Sequence, residues 1–380
     1  MRLFPTEALR KNTGGLKNEK EYLHWLCHVP GLKADKMRRL MEQAGSFKDI
    51  YYMKEQELKS CLFLTARERN AILELKKQLD LTREEYHRLK ERRIEFTTVF
   101  DSGYPERLRK LPGMPLGLFV KGRMPDDSRP SAAVIGARGC SYYGKEEARY
   151  IARELARSGV QIVSGLAMGI DGAGHAGALE AGQETYGVLG CGIDICYPKE
   201  NFRLFERMER QGGIITEFLP GTPPYSGNFP MRNRIISGLS DLVIVVEARK
   251  RSGSLITVGF ALEQGKEVLA VPGRVTDPLS AGCNELIQTG AGVLLTPDDA
   301  LDLLGMKSEK NGNIVKKHEN GLVKNEKMVY SCLDLQPKHL EQIVTESGLP
   351  AGECMAVLLK LELEGFAVQT SNQYYVRKFK

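Results

Sequence analysis

The sequence predicts an α/β protein organised on a doubly wound parallel sheet, with an all-α unit before the sheet and a winged helix after it. Three observations carry this. From Ala132 onward, short apolar runs rich in valine and isoleucine alternate with helical stretches, and runs too apolar to face water on either side belong to a parallel sheet covered on both faces. Residues 19–80 show helical spacing alone. After a lysine-rich stretch the chain closes on the order helix, turn, helix, hairpin, the pattern of a winged helix.

A chain of 380 residues exceeds what one core usually serves. Its composition, 42% hydrophobic and 27% charged, is that of ordinary globular domains. The balance of 54 Lys and Arg against 48 Asp and Glu leaves +6, which permits a polyanionic partner and leaves the distribution of charge to decide. Eight cysteines scattered from Cys27 to Cys354 without a CxxC pair read as reduced thiols rather than a disulfide frame. No apolar run approaches about 18 residues and no secretory h-region opens the chain, so a soluble cytoplasmic protein with no membrane contact is expected.

Residues 1–18 are polar, include Gly14-Gly15, and are expected to be a flexible N-terminus. Within 19–80, Tyr22, Leu23 and Leu26, then Met37, Leu40 and Met41, repeat on helical faces. Between them Val29-Pro30-Gly31-Leu32 resembles a helix-hairpin-helix turn, whose backbone N–H groups meet phosphate. The second glycine of that pattern is replaced by Lys33-Ala34-Asp35, so a DNA contact and plain packing of a SAM-like helical domain both stay open. A charged helix over Leu81–Arg93 leads to a strand at Ile94–Phe100, a connector with Pro105, Pro112 and Pro115, and a strand at Leu116–Val120.

Further strands are expected at 132–136, 160–164, 185–189, 213–217, 241–247, 267–271 and 292–295, completing a domain over 81–304. Its centre is Phe229–Gly273, where Asp241–Glu247, Ser254–Gln264 and Val268–Val271 read as strand, helix, strand. The last strand, around Val293–Leu295 with Leu286 and Ile287 before it, is a short apolar edge that invites a symmetric partner. Residues 305–324 read as a linker, since Gly305–Lys327 holds six lysines, three glutamates and three glycines. The winged helix is placed at 325–380. Its would-be recognition helix carries Glu353, Glu362 and Glu364 against Lys360 alone, which argues for a protein contact over base reading.

Parallel strands bring the loops after their carboxyl ends to one edge. Those loops hold Arg138, Ser164-Gly165, Lys199, Arg249-Lys250-Arg251 and Arg274. Tyr197 and Phe202 flank Lys199, and Phe229 precedes Arg232 and Arg234. Cations interleaved with aromatic rings suit a single strand, because phosphates need charge and unpaired bases need a stacking face. Gly136-Ala137-Arg138-Gly139 lets backbone approach a ligand near a helix N-terminus. Arg232 and Arg234 open a helix, where a cation needs an acid, Glu217 or Glu247, or an anionic ligand. Walker A and GxGxxG patterns are missing, so no cofactor is expected. Asp171 and His175, four apart with no nucleophile beside them, read as structural, and His24, Cys27 and His28 lack the distal partners of a metal site.

The strings Gly136-Ala137-Arg138, Gly165 to Asp171 with His175, Gly190 to Asp194 with Tyr197-Pro198-Lys199-Glu200-Asn201, Phe229 to Ser240, Ser252 to Thr257 and Ala270 to Gly273 together resemble the DNA-processing protein A family, DprA or Smf. The resemblance spans the α/β domain. It implies an extended Rossmann-like fold, dimerisation through it, and a non-enzymatic binder of single-stranded DNA that helps load the RecA recombinase in natural transformation. It also implies that Arg138 and Lys199 grip phosphates. Ala137 stands where many relatives have serine, which removes a hydroxyl and keeps the backbone N–H groups. The expected strand-binding set is Gly136, Arg138, Ser164, Gly165, Lys199, Asn201, Phe202, Arg232, Arg234, Arg249, Arg251 and Arg274. A rival class is the lysine-decarboxylase-like phosphoribohydrolases, which share the Rossmann variant. Their glycine-rich loop is replaced here by Arg251 to Thr257, with Glu263 farther down the helix.

Overall fold

The computed structural model describes residues 13–111, 113–306 and 322–378. Helix α1 (Thr13–Cys27) begins before the expected Glu19, while residues 1–12 and the linker stretch 307–321 lie outside the described residues. After α1 come α2 (Ala34–Ala44), α3 (Phe47–Tyr52), α4 (Glu55–Ser60), α5 (Ala66–Leu75) and α6 (Leu79–Glu91). The turn between α1 and α2 has Gly31 at φ +76°, where a side chain would be strained. Its flanking Val29 and Leu32 are buried in the core and its apex is exposed.

The sheet is built from β1 (Glu95–Thr98), β2 (Gly117–Gly122), β3 (Ser131–Ile135), β4 (Gln161–Ser164), β5 (Thr185–Val188), β6 (Gly212–Thr216), β7 (Leu242–Val245), β8 (Glu267–Ala270) and β9 (Gly292–Val293). Among the described residues its order is β1-β2-β6-β5-β4-β3-β7-β8-β9. From β6 to β9 every pairing is parallel, and β1 and β2 are added antiparallel beyond β6. Within the parallel part the chain starts in the middle at β3, steps outward to β6, then returns to β7 beside β3. Strand order therefore reverses between β3 and β7, the place where open α/β sheets bind their ligands.

Alternate residues of each strand feed opposite faces. Ala132 and Val134 pack with Ile151, Ala152 and Leu155 of α7 (Tyr142–Arg157) on one side. Ala133 and Ile135 face a second cluster that runs without a break into Trp25, Leu40, Phe47 and Ile72 of the front helices. His24 of α1 packs edge-on against the neighbouring rings of Phe96 on β1 and Phe119 on β2, so the front helices and the sheet close over a shared core. The winged helix has a core of its own, with Leu340, Ile343, Cys354, Leu358 and Leu361. Its three-stranded sheet, Lys338–His339, Tyr374–Arg377 and Ala367–Ser371, packs with helices Lys324–Cys332, Leu340–Ser347 and Ala351–Leu363. The first of these begins inside the stretch expected to stay irregular. No helix among the described residues is long and apolar enough to cross a membrane.

Candidate nucleic-acid interface

The turn after β3 is clamped from two sides. Ala137 N–H donates to the Glu247 carbonyl at 2.7 Å, and Ala137 O accepts from Ile170 N–H at 3.2 Å. Gly169, at φ +77°, lies so close that a Cβ there would run into the Ala137 and Arg138 carbonyls. Downstream, the Glu247 carboxylate accepts from Ser141 N–H at 2.8 Å and from Ser141 Oγ at 2.5 Å, and Ser141 Oγ caps α7 by accepting from Gly144 N–H at 2.9 Å. Glu247 is thus committed to this turn. Arg138 projects from it into solvent.

Phe229 is the hub. It stands in the first turn of helix α8 (Asn228–Leu239). The Arg138 guanidinium carbon lies 5.3 Å from its ring centroid and that of Arg232 lies 5.9 Å away, within cation–π range. The Tyr197 ring is 5.6 Å off. Lys199 is exposed in the loop after β5, and the exposed Phe202 follows it. Asn201 Nδ2 donates to the carbonyls of Leu166 at 3.0 Å and Ala167 at 3.1 Å, tying the β5 loop to the β4 loop. Arg249, Lys250 and Arg251 after β7, and Arg274 after β8, are exposed and join no ion pair among the described residues. Arg138, Lys199 and these four therefore line the carboxyl edge of the sheet, with the Arg138 and Arg249–Arg251 turns on either side of the reversal point.

Four expected contacts turn inward. Ser164 Oγ donates to the Val134 carbonyl at 2.6 Å and is buried. Gly165 N–H donates to Asp171 Oδ2 at 3.2 Å. Arg232 is 4% exposed, with Nη1 donating to the carbonyls of Gly165, at 2.7 Å, and Val188. Burial pushes its pKa down to about 10. Arg234 makes a two-pronged pair with Glu217, both contacts 2.7 Å, and so takes the acid at the end of β6, not the one at the end of β7. Neither arginine opens onto solvent. Gly136 is half-buried beneath the Arg138 turn.

The sequence reading missed an outer rim. Met168, Tyr225 and Met231 are large apolar side chains left exposed in or beside the same loops, Tyr225 at 61%. The signal was there in an aromatic ring set among glycines and prolines, Gly221 to Gly227. His175 is buried, with Nδ1 at 2.7 Å from Thr185 Oγ1. His28 bonds through its two ring nitrogens to the His24 carbonyl and the Glu85 carboxylate. Glu263 sits at the far end of helix α9 (Ser254–Glu263), nine residues or about 14 Å from the loop that would need it as a catalyst.

A Rossmann-like sheet with cations and rings gathered on its carboxyl edge, a helical front and a winged-helix tail is the architecture shared with DNA recombination-mediator proteins. The chain belongs to the DNA recombination-mediator protein A family. That family's model matches residues 95–305, and the DprA winged helix domain matches residues 318–373. The chain is 42% identical over 216 residues to the DNA processing protein DprA of Bacillus subtilis, covering 57% of this chain and 73% of the relative. The crystal structure of DprA from Streptococcus pneumoniae superposes with a TM-score of 0.64 at 34% identity, covering 74% of this chain and 97% of that one. A Helicobacter pylori DprA structure, described in terms of its single-stranded DNA binding mode, gives 0.50 at 30% identity, covering 55% and 95%.

Proposed function

We propose that this protein binds single-stranded DNA without regard to base sequence along the carboxyl edge of its sheet, and hands the strand to a RecA-type recombinase. The observation that carries the reading is the grouping of exposed Arg138 with Tyr197 and Phe229, beside the exposed cations Lys199, Arg249–Arg251 and Arg274. Charge on several loops meets successive phosphates, and ring faces accept any base. The family's mediator role and the strand binding of the Helicobacter relative support it. On this reading the protein works in the cytoplasm on strands taken up in transformation. It acts as a homodimer paired through the β9 edge, where Val293 and Leu295 are exposed, Leu295 at 70%. The helical front (19–80), the α/β part (81–304) and the winged helix (325–380) are its working divisions.

A mobility-shift comparison of single- and double-stranded oligonucleotides of equal length tests the reading. Single strands of any base composition should shift first, and RecA filament assembly on them should quicken when the protein is present. Equal affinity for duplex, or turnover of a mononucleotide by the pure protein that Glu263→Ala abolishes, would overturn it. Light scattering at micromolar concentration should give twice the chain mass.

A further inference from the structure

The turns after β3 and β4 present the backbone N–H groups that, in mononucleotide-binding sheets of this kind, cradle a phosphate. Here a carboxylate of the chain lies in that cradle. Asp171, at the start of the helix Ile170–Glu180, is buried. Its Oδ2 accepts from Gly165 N–H at 3.2 Å; burial raises its pKa above the ordinary carboxylate value, while Arg232 and the amides of Gly165, Ala167 and Gly136 act against that rise. Gly136 directly follows β3 and Gly165 directly follows β4, so one carboxylate spans two strand ends. A Cβ on Gly165 would lie 2.6 Å from Asp171 Oδ2 and 2.8 Å from an Arg232 guanidinium nitrogen. Only glycine fits between the two groups at this turn. Arg232 in turn holds the carbonyls of Gly165 and Val188 and lies beside Phe229. Asp171 and Arg232, both buried, thus tie the ends of β3, β4 and β5 together with the ring on which Arg138 rests.

We infer that Asp171 is a positioning residue that occupies the fold's phosphate cradle with the protein's own carboxylate. The strand's phosphates are left to side chains, Arg138 and Lys199, and the turns stay set whether or not DNA is bound. The inference rests on the strand-binding reading for its DNA arm and on geometry alone for its anion arm. A strand passing over this edge meets cations on loops already fixed, and a free nucleotide finds the cradle filled.

Asp171→Ala empties the cradle and leaves Arg232 buried without its counter-charge, which is strongly unfavourable. Formate, a carboxylate small enough to enter, should refill it. Expected for Asp171→Ala is a lowered melting temperature and single-strand affinity reduced roughly tenfold or more, the usual loss when a supporting residue behind a site is removed. Formate should restore both, chloride at matched ionic strength should not, and the wild type should respond to neither. Asp171→Asn keeps the size, loses the charge and turns a donor toward donors, so it should bind weakly and gain nothing from formate. Affinity within twofold of wild type in either variant, or rescue by chloride as good as by formate, would overturn the proposal. If Asp171→Ala does not fold at any formate concentration, Asp171→Asn decides: wild-type melting and affinity refute, loss of both sustains. Should the wild type itself ignore single strands, the strand-binding reading fails, and the formate-specific melting gain still reads the cradle.

Discussion

At the scale of the residue, exposed and buried cations of one edge have separate duties, and substitution should tell them apart. Arg138 and Lys199 are exposed. Alanine at either should remove about 0.7 from the log–log salt slope of single-strand binding, alike for every base composition, with the thermal melt unchanged. Titration against salt checks this, and a lowered melt with an unaltered slope would show a structural arginine instead. Buried ionisable groups set how stability depends on pH. Burial lifts Glu147 to about 7, above its ordinary value, so its contribution is full in acid and is lost as pH rises through 7. Glu147→Gln should therefore raise the melting temperature at pH 8, by at most roughly 3 kcal/mol of stability, and gain nothing near pH 4.5. His24 and His175, pushed down to about 3 by burial, act the other way. Neither accepts a proton while folded, so stability falls as pH drops from 6.5 toward 3.

At the scale of the element, the winged helix departs from a DNA reader. Its central helix, Ala351–Leu363, exposes Met355, Leu359 and Leu363 at one-turn spacing, and Lys360 is tied to Glu326 at 2.5 Å. That face is apolar and acidic where a phosphate backbone would need cations. Removing residues 322–380 should leave single-strand affinity within a few-fold, as a mobility shift would show; a loss of orders of magnitude would place strand contacts there. Much of this was legible beforehand. The valine- and isoleucine-rich runs of β3, β7 and β8 announced buried parallel strands, and the cations after them announced the edge. Pairing was not legible, because β2 joins β6 from the far side of β3 to β5 and no local pattern records such a partner. Glu217 and Glu247 both end strands, and only the folded geometry assigns the first to Arg234 and the second to Ser141. Phe229 was visible as a neighbour of arginines, yet its meeting with Arg138 and Tyr197 joins segments distant in sequence. The helix Lys324–Cys332 was hidden by polar composition, its apolar stripe reduced to Val329 and little else.

At the scale of the whole molecule, the two appendages are held in different ways. The front helices share a continuous core with β1, β2 and the sheet, whereas the winged helix keeps its own. Deleting residues 1–91 should strip the cover from Phe96 and Phe119 and give an aggregating or strongly destabilised product, while deleting 322–380 should leave the main melting transition in place. Calorimetry of both truncations checks this, and a front deletion that melts like the full chain would contradict the shared core. The antiparallel seam between β2 and β6 carries the point into synthesis. A ribosome releases the front helices and β1–β2 first, yet the strand against which β2 must zip emerges only about a hundred residues later, roughly 5–20 s at ordinary elongation rates. Throughout that interval the nascent front presents an open strand edge on β2 and half a core, and the first third of the polypeptide must wait for its middle before it can finish folding.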